Sequence, residues 1–194
     1  VLDRMLPDGD GKSAQLMYQE LADMACERIT AGITRSLLGE RPIKAMLDPY
    51  NPTGSTLHVN FNTSKMSRWE TDPRRSHVNW MILDSDWEGE FARVVEAHPT
   101  TISYVKTQAL GFEVPYRSGS TPRRYVPDFI VQLDDGHGAD DPLNLIIEVK
   151  GYRGLDEQIK SETMKNLWVP GINNLKVYGR WDFREFRDVF AMEE

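Results

Sequence analysis

Two short stretches concentrate the side chains able to do chemistry. Val126-Pro127-Asp128-Phe129-Ile130-Val131 and Leu145-Ile146-Ile147-Glu148-Val149-Lys150-Gly151 set two carboxylates and an ammonium at the ends of apolar runs. Side chains two apart on a strand share a face, so Glu148 and Lys150 project together and Val149 turns away. The run Leu145–Ile147 reads as a buried central strand, where a charge needs a partner or a ligand to offset its desolvation. A turn over 134–142 lets the strand after Asp128 pair with the strand of Glu148, bringing the two acids side by side. Such a pair suits Mg²⁺ (with Mn²⁺ able to substitute), a hard cation that takes a few carboxylates and completes its shell with water and phosphate oxygens. A cation there polarises a phosphoryl group and generates hydroxide. A lysine beside it orients the water or stabilises the developing negative charge. Hydrolysis of a phosphodiester is the chemistry implied; a cross-strand ion pair on a solvated sheet face is the competing reading.

The elements that position these residues follow from periodicity. Leu16, Leu21, Met24, Ala25, Ile29, Ile33 and Leu37 recur at helical spacing before Gly39, predicting a helix over 13–38. Prolines 42, 49 and 52 and Gly54 then break the chain into a connector. Leu57, Val59 and Phe61 alternate with polar residues as a strand would, and 62–76 reads as a basic surface connection. Val78, Trp80 and Ile82 predict another strand, and Ser85 opens a helix running to Pro99. Strands over 102–107, 112–117, 124–133 and 143–150 follow, then a helix over 155–167 and a short strand over 175–178. Trp181, Phe183, Phe186 and Phe190 close the chain. A helix, several strands, a helix and a strand make a mixed α/β order around one sheet.

Composition narrows the class. The 194 residues carry 40% hydrophobic and 27% charged side chains, and 5 Trp, 7 Tyr and 7 Phe supply too much apolar surface for a disordered chain. A single cysteine, Cys26, excludes an intramolecular disulfide framework and a CxxC metal or redox site, and fits a reducing cytoplasm. No run approaches the roughly 18 apolar residues of a membrane span. The net charge of −7 argues against coating nucleic acid by bulk charge. Residues 1–76 hold 10 acidic and 10 basic side chains, so the whole excess falls in 77–194, partly on the proposed site carboxylates and four turn aspartates.

Pro127-Asp128 with Glu148-Val149-Lys150 resembles the PD-(D/E)xK motif of the restriction-endonuclease-like nucleases. Wider wording points to one family among them. Asn51-Pro52-Thr53-Gly54-Ser55-Thr56, Asp72-Pro73-Arg74-Arg75, His77-Val78-Asn79-Trp80, Leu83-Asp84-Ser85-Asp86-Trp87-Glu88, Tyr125-Val126-Pro127-Asp128-Phe129-Ile130 and Trp168-Val169-Pro170-Gly171 resemble the C-terminal part of the restriction (Res) subunit of type III restriction–modification enzymes. The resemblance covers roughly residues 40–194. It implies an α/β fold with a mixed central sheet flanked by helices over 77–194. Residues 1–76 become a mainly helical extension leading from an upstream motor, and the valine start likewise reads as a segment of something larger. It further implies a Mg²⁺-dependent endonuclease acting on double-stranded DNA, a methyltransferase partner subunit, and ATP use confined to that motor. Asp128 and Glu148 become metal ligands and Lys150 the catalytic lysine. An acid on the helix before the sheet often joins them, and Glu88 is the candidate, with Glu90 as the alternative. Ser85-x-x-Glu88 is equally a capping box. Arg117, Arg123, Arg124 and Arg153 are candidate phosphate contacts, and Tyr152 adjoins the site. An inert module of the same fold, serving DNA binding or assembly, and a phosphohydrolase of small esters are the alternatives.

Other motifs carry less. Gly11-Lys12-Ser13 lacks the earlier glycine of a phosphate-binding loop, since Leu6 stands there. Asp134–Asp141 imitates a calcium loop without its closing glutamate and reads as a hairpin turn. The four histidines form no zinc motif, and Cys26 on an apolar helix face reads as core.

Overall fold

The computed structural model describes residues 19–40, 42–50, 52–138, 140–149 and 155–186. Its centre is a four-stranded sheet of β3 (Thr101–Lys106), β6 (Phe129–Leu133), β7 (Leu143–Val149) and β8 (Arg180–Phe186), in the spatial order β3-β6-β7-β8. β3, β6 and β7 are antiparallel, whereas β8 runs parallel to β7. A parallel neighbour needs a crossover. It is supplied by a continuous helical run: α3 (Leu155–Thr163), one wide turn over Met164–Trp168, and α4 (Val169–Asn173). The mixed α/β architecture expected from the element order is therefore present, but not around one sheet: Arg68–Glu70 with Trp80–Ile82, and Val114–Ser118 with Thr121–Tyr125, form two separate two-stranded sheets.

Strand alternation divides the core into two layers. On one face Phe129, Val131 and Ile147 pack with Phe91, Val94 and Val95 of α2 (Asp86–Ala97). Apolar positions 91, 94 and 95 recur at helical spacing, which is why α2 presents one stripe to the sheet. On the other face Ile146 and Phe183 pack with Met164 of the crossover and with Val114, Tyr116 and Tyr125. The last three come from a separate hairpin of β4 (Val114–Ser118) and β5 (Thr121–Tyr125). Ser85 caps α2, its Oγ accepting from the Glu88 amide at 3.3 Å.

Several boundaries differ from the sequence expectations, each for a physical reason. The expected strand over 124–133 is two strands, because Pro127 has no N–H for a ladder and is fully buried at the break. The alternation at 57–61 forms no strand; Ser55 caps a short turn at Thr56–His58, and Leu57 is exposed. The stretch read as surface connection contains β1 (Arg68–Glu70), which pairs with β2 (Trp80–Ile82). No strand forms at 175–178: Lys176 and Gly179 take positive φ of 58° and 76°, and the extended chain starts at Arg180. The first helix, α1, is Gln19–Glu40, and Cys26 on it is half-buried.

Hydrogen bonds cross the boundary drawn at 76/77. Besides the β1–β2 pairing, the Ala45 amide donates to the Gly171 carbonyl at 2.9 Å and Asn174 Nδ2 to the Ile43 carbonyl at 2.8 Å. A side chain at Gly171 would meet the Ala45 backbone nitrogen at 3.2 Å, so glycine permits this close approach. No described helix is long and apolar enough to cross a membrane.

Candidate active site

Asp128 stands in the bend between β5 and β6, held from two sides. Its carbonyl accepts from the Thr107 amide at 3.0 Å, and the Thr107 hydroxyl donates to the neighbouring Pro127 carbonyl. Its carboxylate Oδ2 accepts from the Val149 amide at 2.7 Å, so the side chain closes the end of the β6–β7 ladder. Phe129 pairs with Ile147. One step outward along that register, Asp128 therefore faces Glu148. The structure thus brings together the two acids that the sequence set apart by twenty positions.

Glu148 is 8% exposed and points, by alternation, to the same face as Ile146. A third acid joins it there. Glu185 of β8 is in register with Glu148, two residues beyond Phe183 on the same face, and its side chain is only 6% exposed. Lys165 Nζ of the crossover approaches Glu185 at 3.9 Å. Sequence reasoning missed Glu185 because it ended the last strand too early. The signal was present, since Trp181, Phe183 and Glu185 alternate with Asp182 and Arg184. Tyr125 lies over this face, and burial together with the negative charges of Glu148, Glu185 and Asp128 raises its phenol well above the ordinary range.

Glu88 is placed elsewhere. α2 covers the face opposite Ile146, and there the Glu88 carboxylate accepts from the Lys106 ammonium and from the Asp84 amide, both at 2.7 Å. Lys106, on the inward-facing row of β3 with Tyr104, also donates to the Ile82 carbonyl at 2.7 Å and to Asp84 at 2.9 Å. Only half of the capping box expected from Ser85-x-x-Glu88 forms: Ser85 Oγ accepts from the Glu88 amide, but the Glu88 carboxylate reaches one residue past the cap, to the Asp84 amide. Glu90 pairs instead with Arg93 at 2.5 Å, which holds its carboxyl below the usual range. Among the described residues, no three His, Cys, Asp or Glu side chains are grouped closely enough to hold a metal ion.

Lys150, Tyr152 and Arg153 lie outside the described residues. The remaining candidate arginines stand on the β4–β5 hairpin. Arg123 pairs with Asp156 at 3.3 Å and Arg124 with Glu113 at 3.0 Å, both exposed, and Arg117 is exposed on the same hairpin. At the far end of the sheet the turn aspartates are engaged by Arg180, which reaches Asp135 at 2.6 Å and Asp141 at 3.0 Å.

The donor chemistry at the Asp128 end fits a hard divalent cation. Two carboxylates on adjacent strand ends provide oxygen donors only, and Mg²⁺ commonly uses one or two carboxylates with water and substrate phosphates. The phenol oxygen of Tyr125, a residue 8% exposed, sits over the same face with no hydrogen-bond partner among the described residues. Comparison with family models, curated proteins and solved structures finds no match for this chain.

Proposed function

We propose that the chain is a metal-dependent endonuclease domain that hydrolyses DNA phosphodiester bonds. The supporting observation is the Val149 amide holding Asp128 Oδ2 at 2.7 Å, which fixes that carboxylate opposite Glu148. A Mg²⁺ ion bound by Asp128 and Glu148 would supply Lewis-acid polarisation of the phosphoryl group and an activated water. Asp128 and Glu148 orient the site from two strands of one rigid ladder. Lys150, two residues beyond Glu148, is the residue assigned to orient the nucleophile or offset charge on the reacting phosphate. Glu88, committed to Lys106 beneath α2, keeps a structural role in this reading.

The order α2, three antiparallel strands, helical crossover and parallel strand supports a restriction-endonuclease-like core. With the motifs at 51–56, 72–75, 77–80, 83–88, 125–130 and 168–171, it favours the cleavage domain of a type III restriction enzyme Res subunit. Double-stranded DNA is then the substrate, a methyltransferase subunit the partner, and the cytoplasm the compartment. The test is a metal-dependent nicking assay on the full-length protein with its partner. Asp128→Ala and Lys150→Ala should each lower plasmid cleavage by at least about 100-fold, as removal of a transition-state-stabilising group does. Undiminished cleavage by either variant would sink the assignment of that residue.

A further inference from the structure

Tyr125 ends β5 with its ring in the apolar cluster of Ile146 and Phe183. Glu148 and Glu185 stand two residues beyond these on the same strands, so strand alternation returns both carboxylates to the Tyr125 side of the sheet. The residue is 8% exposed, and its hydroxyl makes no hydrogen bond to any described residue. Its neighbours behave differently. Tyr116, whose ring meets that of Tyr125 edge-on at 5.8 Å, donates to Asp156 at 2.8 Å. Tyr104, in the other layer, donates to Glu96 at 2.7 Å. Buried tyrosine hydroxyls normally find an acceptor, because one left without it has given up its hydration for nothing. An orphan of this kind in a well-packed layer calls for a cause. With Tyr116 turned to Asp156, the carboxylates whose charge acts on the Tyr125 phenol are those at the strand ends, Glu148, Glu185 and Asp128. Lys160 lies over its ring at 5.6 Å and helps to hold the ring in place.

We propose that Tyr125 is a positioning residue of the cation site, its hydroxyl donating to the Glu148 carboxylate once a divalent cation is held there. The proposal rests on the endonuclease reading of Asp128 and Glu148 and assigns that site a further residue. The ring is locked by packing, so the donor is set in advance and the carboxylate is the group that turns to meet it. Outer-shell hydrogen bonds of this type fix which ligand oxygen faces the metal, and their loss costs about 10–100-fold in affinity. Strong burial and the surrounding negative charge keep the phenol protonated, so it stays a donor throughout the working pH range.

The experiment is Mn²⁺ binding to the 194-residue chain by titration calorimetry, with melting temperatures of the metal-free proteins measured alongside. Tyr125→Phe removes one oxygen without changing the packed shape. It should bind Mn²⁺ about tenfold more weakly, while its metal-free melting temperature stays level or rises, because an unsatisfied hydroxyl has been removed. Tyr116→Phe should bind Mn²⁺ as the wild type does. Asp128→Ala should abolish uptake. Wild-type affinity in Tyr125→Phe overturns the proposal and leaves the reading of Asp128 and Glu148 standing. A fall in its metal-free melting temperature shows a hydroxyl already bonded without metal, and overturns the proposal too. Full affinity in Asp128→Ala, or no uptake by the wild type, overturns the reading itself and the proposal with it.

Discussion

The two faces of the central sheet bury carboxylates in opposite ways. Under α2, Glu88 meets an ammonium and an amide, and Lys106 meets two carboxylates and a carbonyl. Each of these charges has its counterpart within the same cluster. Under the β4–β5 hairpin, Asp128, Glu148 and Glu185 stand at the ends of three adjacent strands, and the phenol above them has no hydrogen-bond partner among the described residues. A buried acid that finds a cation inside its own cluster is explained by folding. On the other face the cation that approaches the acids stands farther off, Lys165 Nζ lying 3.9 Å from Glu185. The difference separates two carboxylates, Glu88 and Glu148, that look alike in sequence and in burial, at 4% and 8% exposed.

The sharpest way to break the comparison is to exchange what each face is asked to do. Loss of Lys150 should lower cleavage by at least about 100-fold with little change in melting temperature. Lys106→Met should do the reverse. Lys106 and Glu88 side chains are 7% and 6% exposed, so removing the ammonium leaves a buried carboxylate without its cation. Breaking a buried pair from one side costs about 3–5 kcal/mol. Denaturant unfolding should show that loss, and adding Glu88→Leu to Lys106→Met should recover most of it, because no buried charge is then left alone. If the double variant is no better than the single, the cluster is not the closed unit described above.

Glu88→Gln tests the boundary between the faces. The amide keeps much of the capping geometry but weakens the contact with Lys106, so stability should fall by about 1–3 kcal/mol, the range for hydrogen bonds involving a charged group. Mn²⁺ affinity should not move. A loss of Mn²⁺ binding without a loss of stability would return Glu88 to the metal site, where its place on the helix before the sheet first put it.

Much of this arrangement was legible before the fold. Asp128 and Glu148 stood out because charges at the ends of apolar runs are costly, and the turn between them predicted the pairing that the register shows. The α2 start was legible in Ser85-x-x-Glu88 for the same local reason. What failed depended on distant partners. Alternation at 57–61 matched a strand, but a strand needs a neighbour to accept its ladder, and none pairs there. β8 was placed too early because apolar residues at 175–178 resemble a strand, while positive φ at Lys176 and Gly179 is a property of the turn. Glu185 was lost with it. Lys106 sat unnoticed on the inward row of β3 with Tyr104, although a lysine two residues from a buried tyrosine asks for a buried acid. No local rule says which acid answers.

The smallest effect lies at the open edge of the α2 cluster, where Asp84 joins Lys106 to Lys65. Lys65 donates to Asp84 at 2.5 Å and Lys106 at 2.9 Å, and these contacts hold the Asp84 carboxyl below its ordinary 3.8. A carboxyl lowered on folding adds stability above its unfolded value, and that contribution is lost as the pH falls through the lower folded value. The gap between wild type and Asp84→Asn should therefore be full at neutral pH and close below 3.8. Asp84 is 56% exposed, so the gap should stay within about 1 kcal/mol and shrink as salt is added. Lys106–Glu88, sealed beneath α2, should resist the same salt. A gap at Asp84 that ignores ionic strength would mean the cluster is closed to solvent throughout. The contrast between the paired face and the acid-lined one would then have to be drawn at Glu148 alone.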